Sequence, residues 1–177
     1  YGSGTTPGEQ QTIYLTYLGN KLTKVEVNGN IPGNTSSTGR AELTPNYDTA
    51  GRMVSLMNDY YEGNTHKKHA ITVYLYDTSG RLTNAFQKTA TVNPATPNVY
   101  VYPDIISDII TYDAMNVAKV ESSKMVVNTT TGVVQSEVKT TYQYSGYDWR
   151  INPYTTVLDN YLIAVSSLFP EMYVNLS

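Results

Sequence analysis

One device recurs along this chain: a tyrosine and an aspartate, two small residues, a glycine, an arginine and an apolar residue. It occurs as Tyr47-Asp48-Thr49-Ala50-Gly51-Arg52-Met53 and again as Tyr76-Asp77-Thr78-Ser79-Gly80-Arg81-Leu82. Looser copies are Tyr17-Leu18-Gly19-Asn20-Lys21-Leu22, Tyr112-Asp113-Ala114-Met115-Asn116-Val117 and Asn128-Thr129-Thr130-Thr131-Gly132-Val133. The period is too irregular for a solenoid. Each copy reads as a β-hairpin: the aspartate accepts hydrogen bonds from its own turn, and glycine or asparagine takes the left-handed position that a bulge closes. Asp48, Asp77 and Asp113 are then turn residues, and Gly51, Gly80 and Gly132 are backbone requirements.

The flanks alternate with period two, as half-buried strands do. Leu82, Phe86, Ala90 and Val92 fall on one face and Thr83, Gln87, Thr89 and Thr91 on the other. The same parity sets Ile71, Val73 and Leu75 against Thr72, Tyr74 and Tyr76, and Val134, Val138, Tyr142 and Tyr144 against Gln135, Glu137, Lys139, Thr141 and Gln143. The expectation is a mainly β antiparallel meander of about nine or ten strands, a curved sheet or partial barrel with one buried and one wet face. After Asn152-Pro153-Tyr154 the pattern changes: Val157, Leu158, Tyr161, Leu162, Val165, Leu168 and Phe169 recur at helical spacing until Pro170. One amphipathic helix over about 156–169 is expected, packed on the apolar face of the sheet.

The chain has 177 residues, within the usual range of one domain. The Gly/Ser/Thr/Pro tract from Tyr1 to Gly8 reads as part of a flexible tether over 1–11, and 12–177 as a single β-rich domain. Only 15% of residues are charged and the net charge is −3. No basic stripe exists to displace counterions from a nucleic-acid backbone, so nucleic acid is not an expected partner. With no cysteine, disulfides, thiolate nucleophiles and thiolate metal sites are excluded. The longest apolar candidate, Val157 to Phe169, is broken by Asp159, Asn160, Ser166 and Ser167 and falls short of a spanning helix.

The Tyr-Asp-x-x-Gly-Arg-Leu units resemble those of the YD/RHS repeat class. With the Asn152-Pro153-Tyr154 ending and the Leu/Tyr-rich final segment, the chain from about Thr12 to Ser177 is similar to a family of secreted Bacteroidetes lipoproteins of unknown function, described as having a porin-like β fold. The resemblance implies a secreted, cell-envelope address, in the periplasm or on the outer-membrane surface. A lipid anchor upstream of this chain is then its attachment to the membrane. The resemblance transfers no catalytic residues. A membrane barrel and a soluble sheet share one alternation of faces. The expected helix favours the soluble form, because its apolar stripe needs an apolar surface to cover.

Few groups suggest chemistry. His66-Lys67-Lys68-His69 is the only histidine pair and reads as a solvated basic loop after Glu62-Gly63-Asn64. No Gly-x-Ser-x-Gly elbow exists, no Gly-rich phosphate loop is present, and the turn aspartates lack calcium-loop spacing. Asp104 and Asp108 share a strand face about 13 Å apart, too far for a glycosidase pair. No metal and no cofactor is expected, and the chain is not expected to be an enzyme. The 17 tyrosines against two phenylalanines and one tryptophan are the marked surplus. Tyr74, Tyr76, Tyr100, Tyr102, Tyr142 and Tyr144 read as cross-strand packers. Tyr147, Trp149 and Tyr154, near the junction of sheet and helix, are the candidate ligand-binding surface. The leading functional expectation is a non-catalytic envelope binding module for a glycan, peptide or lipid. The alternatives are a structural or partner-docking subunit of an envelope complex, and a carboxylate-dependent hydrolase.

Overall fold

The structure, a computed structural model, describes residues 11–29, 39–97, 99–114 and 116–145. These residues form nine strands: β1 (Gln11–Leu18), β2 (Lys21–Gly29), β3 (Gly39–Tyr47), β4 (Met53–Glu62), β5 (Thr65–Tyr76), β6 (Leu82–Thr91), β7 (Asp104–Asp113), β8 (Asn116–Val127) and β9 (Val134–Gln143). They pair antiparallel in chain order, so the sheet is an open meander with β1 and β9 at its ends. No helix occurs among the described residues, and the helix expected over about 156–169 lies outside them. So does the expected tether apart from Gln11, which opens β1.

Four of the repeated units are the hairpin tips along one end of the sheet, and the fifth, Asn128 to Val133, is the β8–β9 hairpin at the other end. Gly51 and Gly80 take φ values of 84° and 83°, a region that costs other residues a Cβ clash. Asp48 Oδ1 accepts the Arg52 N–H at 2.9 Å and Asp77 Oδ1 the Arg81 N–H at 2.9 Å, while each carboxylate also grips the guanidinium of that same arginine. These bonds hold both carboxyls below the usual aspartate range, the backbone N–H being the largest cause in each. The fourth copy is tighter: Asp113 pairs with Asn116, and Ala114 takes the left-handed position at φ 51°.

Successive tips are tied to one another. The Tyr47 hydroxyl donates to the Leu22 carbonyl at 2.9 Å, Tyr76 to Met53 at 2.6 Å and Tyr112 to Leu82 at 2.8 Å. The cation of each unit lies over the tyrosine of the next: Lys21 over Tyr47, Arg52 over Tyr76 at 5.0 Å and Arg81 over Tyr112 at 4.7 Å. Each repeat therefore satisfies the backbone of the one before it.

The register shifts once beside each of Tyr17, Tyr47, Tyr76 and Tyr112, and the extra residue follows the apolar residue of the unit: Thr23, Val54, Thr83 and Ala118. A bulge changes the parity of side chains along a strand. Leu22 and Val25, three apart, are thus both buried, as are Met53 and Leu56. With Val27, Ala41, Leu43, Tyr60 and Tyr74 they form the core, which lies on β2 to β5.

The same bulges correct two face assignments. Leu82 and Ala85 pack on the core, whereas Phe86 stands opposite Val73 on the other face with the Lys88 ammonium over its ring. In β5 the row Ala70, Thr72 and Tyr74 contains alternate buried positions, with His69 the one buried residue of the other row, while Leu75 is 55% exposed. Pairing decides this: Ile71 and Val73 stand opposite Met57 and Ser55, on the face where Glu42 and Asp59 also lie, and burying that face would strip those charges of water. The expected buried face of the last strand is likewise corrected, since β9 is exposed at every position, including Val134, Val138 and Tyr142. It is an end strand with one strand neighbour among the described residues.

Candidate functional site

At the end of the sheet opposite the tyrosine tips, β4 and β5 bring one carboxylate and two imidazoles together. His69 stands opposite Asp59 and His66 opposite Tyr61. Residues three apart on a regular strand point to opposite faces, but Tyr60 pairs with Lys68 and Tyr61 with His66, leaving Lys67 as a bulge. The bulge places both rings on the face of Asp59. The Lys67 carbonyl accepts the Val92 N–H at 2.9 Å.

Asp59 Oδ1 lies 2.6 Å from His69 Nδ1 and 2.9 Å from His66 Nε2, and His66 Nε2 is also 2.9 Å from the Lys68 carbonyl oxygen. The three donor atoms lie within 4.8 Å of one another. Rings clamp the imidazoles on their faces. Tyr61 stacks on His66 with centroids 4.7 Å apart, and Tyr100 stacks on His69 at 4.0 Å and 14°. Tyr100 and Tyr102 belong to the segment 92–103 that connects β6 to β7, not to a strand as their alternation suggested. This connection folds back over β5, beside Ala90, whose small side chain stands opposite His69. His69 is 7% exposed as a result.

The neighbouring cations are engaged elsewhere: Arg40 pairs with Glu42 at 3.2 Å and lies over the Tyr61 ring, and Lys67 pairs with Glu62. Burial, with Asp59 and Glu42 adding negative charge, raises the Tyr61 phenol above its ordinary range, and burial raises Tyr102. Both hydroxyls stay protonated at neutral pH.

The histidine pair is therefore on a strand rather than in a solvated loop. Sequence reasoning passed over Asp59 and Tyr61 as site residues, since only the β4–β5 register and the bulge at Lys67 bring them to the histidines. Asp104 and Asp108 lie on β7 with no register shift between them, which keeps them four residues apart on one strand. Gly132 takes φ 73° in the β8–β9 hairpin, where Asn128 Oδ1 accepts the N–H groups of Thr130 and Thr131. Tyr147, Trp149 and Tyr154 lie outside the described residues.

A second feature is the outer strand β1. Its residues Thr12 to Leu18 carry no charge and are all exposed. Leu15 stands opposite Val25 and Ile13 opposite Val27, so the apolar rows of the core run out to this edge, where Leu15 is 40% exposed. The other end strand, β9, carries Glu137 and Lys139, which pair with each other at 3.4 Å. Charge of that kind guards an edge against strand addition. No helix among the described residues is long and apolar enough to cross a membrane.

No family model matches the chain, and no curated protein matches it. Among solved structures, the crystal structure of a protein of unknown function from Bacteroides fragilis is similar at 14% identity and a TM-score of 0.36, covering 77% of this chain and 96% of that one.

Proposed function

We propose that the protein is a non-catalytic binding module that takes an extended peptide segment along the outer edge of β1, which no second strand among the described residues pairs. The observation that carries this reading is the contrast between the two end strands. An edge strand offers a row of unpaired N–H and C=O groups, and a partner strand satisfies them while its side chains cover the exposed face. At β1 that face is apolar and continuous with the core through Leu15–Val25–Leu43 and Ile13–Val27–Ala41. A peptide with alternating apolar residues extends both rows. Among glycan, peptide and lipid ligands, the peptide alone uses both the open backbone and the alternating side chains. The envelope address and the upstream lipid anchor are part of the same proposal and rest on the resemblance of the hairpin units to secreted lipoproteins.

The test is hydrogen exchange of the full chain with and without a synthetic peptide of alternating valine and threonine, as long as β1. The β1 amides gain protection with the peptide, and Leu15→Lys abolishes the gain. Unchanged exchange in β1, or a gain that survives Leu15→Lys, refutes the reading. A glycan array and neutral lipid vesicles serve as contrasting arms, and binding to either without β1 protection also counts against it.

A further inference from the structure

We propose that Asp59, His66 and His69 form a binding site for a divalent transition-metal ion of the zinc class. Two imidazole nitrogens and one carboxylate oxygen are a donor set for such ions. The two rings come from one strand and the carboxylate from its neighbour, so the site is made by the β4–β5 pairing itself.

The geometry is close to that of a bound ion. An ion held at about 2.0–2.2 Å from each donor in a tetrahedron sets the donors roughly 3.3–3.6 Å apart. Here the oxygen–nitrogen separations are 2.6 and 2.9 Å and no donor pair exceeds 4.8 Å. Seating the ion needs the carboxylate to withdraw slightly and the imidazoles to converge. His66 has the freer side chain, 17% exposed against 9% for His69, and its ring makes the larger adjustment. Each imidazole then binds the ion as a neutral ring through the nitrogen that faces Asp59, with its one proton on the other ring nitrogen, and a ring protonated on both nitrogens gives one proton to solvent.

Three further features favour the ion over a simple hydrogen-bonded cluster. Both nitrogens lie close to the same oxygen atom, Asp59 Oδ1, so the pairing of β4 with β5 already gathers the three donors at one point. The faces of both rings are held by Tyr61 and Tyr100, which orients the nitrogens before any ligand arrives, as a selective site requires. The nearby cations Arg40 and Lys67 are paired with Glu42 and Glu62, so Asp59 is left to the imidazoles. Three protein donors leave the fourth tetrahedral position for water, with the Lys68 carbonyl beside His66 as a neighbouring oxygen.

The experiment is calorimetric titration of the full chain, carrying no added histidines, with Zn²⁺, alongside Co²⁺ titration read by visible absorption. The expected result is one ion per chain, cobalt bands of a low-coordinate nitrogen–oxygen site, and a rise in the unfolding temperature with zinc. His66→Ala, at the less buried ring, weakens zinc binding by at least about tenfold. Asp59→Asn does the same while retaining the size of the side chain. Absence of zinc and cobalt binding overturns the proposal, and so does binding that survives both substitutions. Leu15→Lys leaves zinc affinity unchanged, so failure of the peptide reading and failure of the metal reading are separate results.

Discussion

Replacing the tip tyrosines by phenylalanine isolates what links one repeat to the next. In Tyr47→Phe, Tyr76→Phe and Tyr112→Phe the ring stays, with the cation of the preceding unit still over its face, and only the hydroxyl that donates to Leu22, Met53 or Leu82 is lost. A typical intramolecular hydrogen bond contributes about 0.5–1.5 kcal/mol net, and a buried carbonyl left without its donor raises the cost towards the upper figure. Each substitution should therefore destabilise by about 1 kcal/mol, a fall of roughly 2–4 °C in a domain of this size. The tips are two strands apart, close to 10 Å at about 4.8 Å per strand, far enough for near-additive effects. The triple variant should lose about 3 kcal/mol. Urea unfolding followed by far-ultraviolet circular dichroism measures this, with the m-value checking that the unfolding transition is otherwise unchanged. Three neutral single variants would show that the ladder is a consequence of the fold and not one of its supports. A triple variant losing far more than the sum would show that the tips act as one cooperative unit.

Gly51→Val should cost more than about 1 kcal/mol through the backbone alone, because φ is 84° and no atom lies within 4 Å of the added Cβ. Thermal unfolding checks it, and an unchanged midpoint would sink the turn argument. The phenols of Tyr47, Tyr60, Tyr61, Tyr102 and Tyr112 are all raised, with burial the largest cause in each. A raised folded-state value means that the folded chain keeps its protons longer. This stability is fully present below the unfolded value near pH 10 and is lost as pH rises through the folded values. Denaturant unfolding at increasing alkaline pH, followed with tyrosinate absorbance, should show stability falling as the buried phenols ionise. Ionisation of every tyrosine without loss of structure would contradict it.

How much of this was readable in advance differs by residue. Asp77 and Gly80 announce their turn in one short stretch, because the carboxylate bonds to its own backbone and glycine supplies a φ that Cβ forbids. The nine strands and their antiparallel order follow from such turns recurring between alternating segments. The contact of Asp59 with His66 and His69 carries no comparable local signal. In an unbroken strand the two histidines face opposite ways, and nothing in His66-Lys67-Lys68-His69 marks Lys67 as a bulge.

The orientation of β5 was hidden for a related reason. Ile71, Val73 and Leu75 form the more apolar row, yet Thr72 and Tyr74 are the buried ones. The row opposite decides, since β2, β3 and β4 have already placed Lys24, Glu26, Arg40, Glu42 and Asp59 on the face where Ile71 emerges. Local sequence thus determined the hairpins, their turn residues and the meander, because those depend on backbone conformation within a few residues. Tertiary structure decided which face is buried and which side chains meet, because one extra residue in a strand inverts every side chain beyond it, and its position depends on pairing with the neighbouring strand.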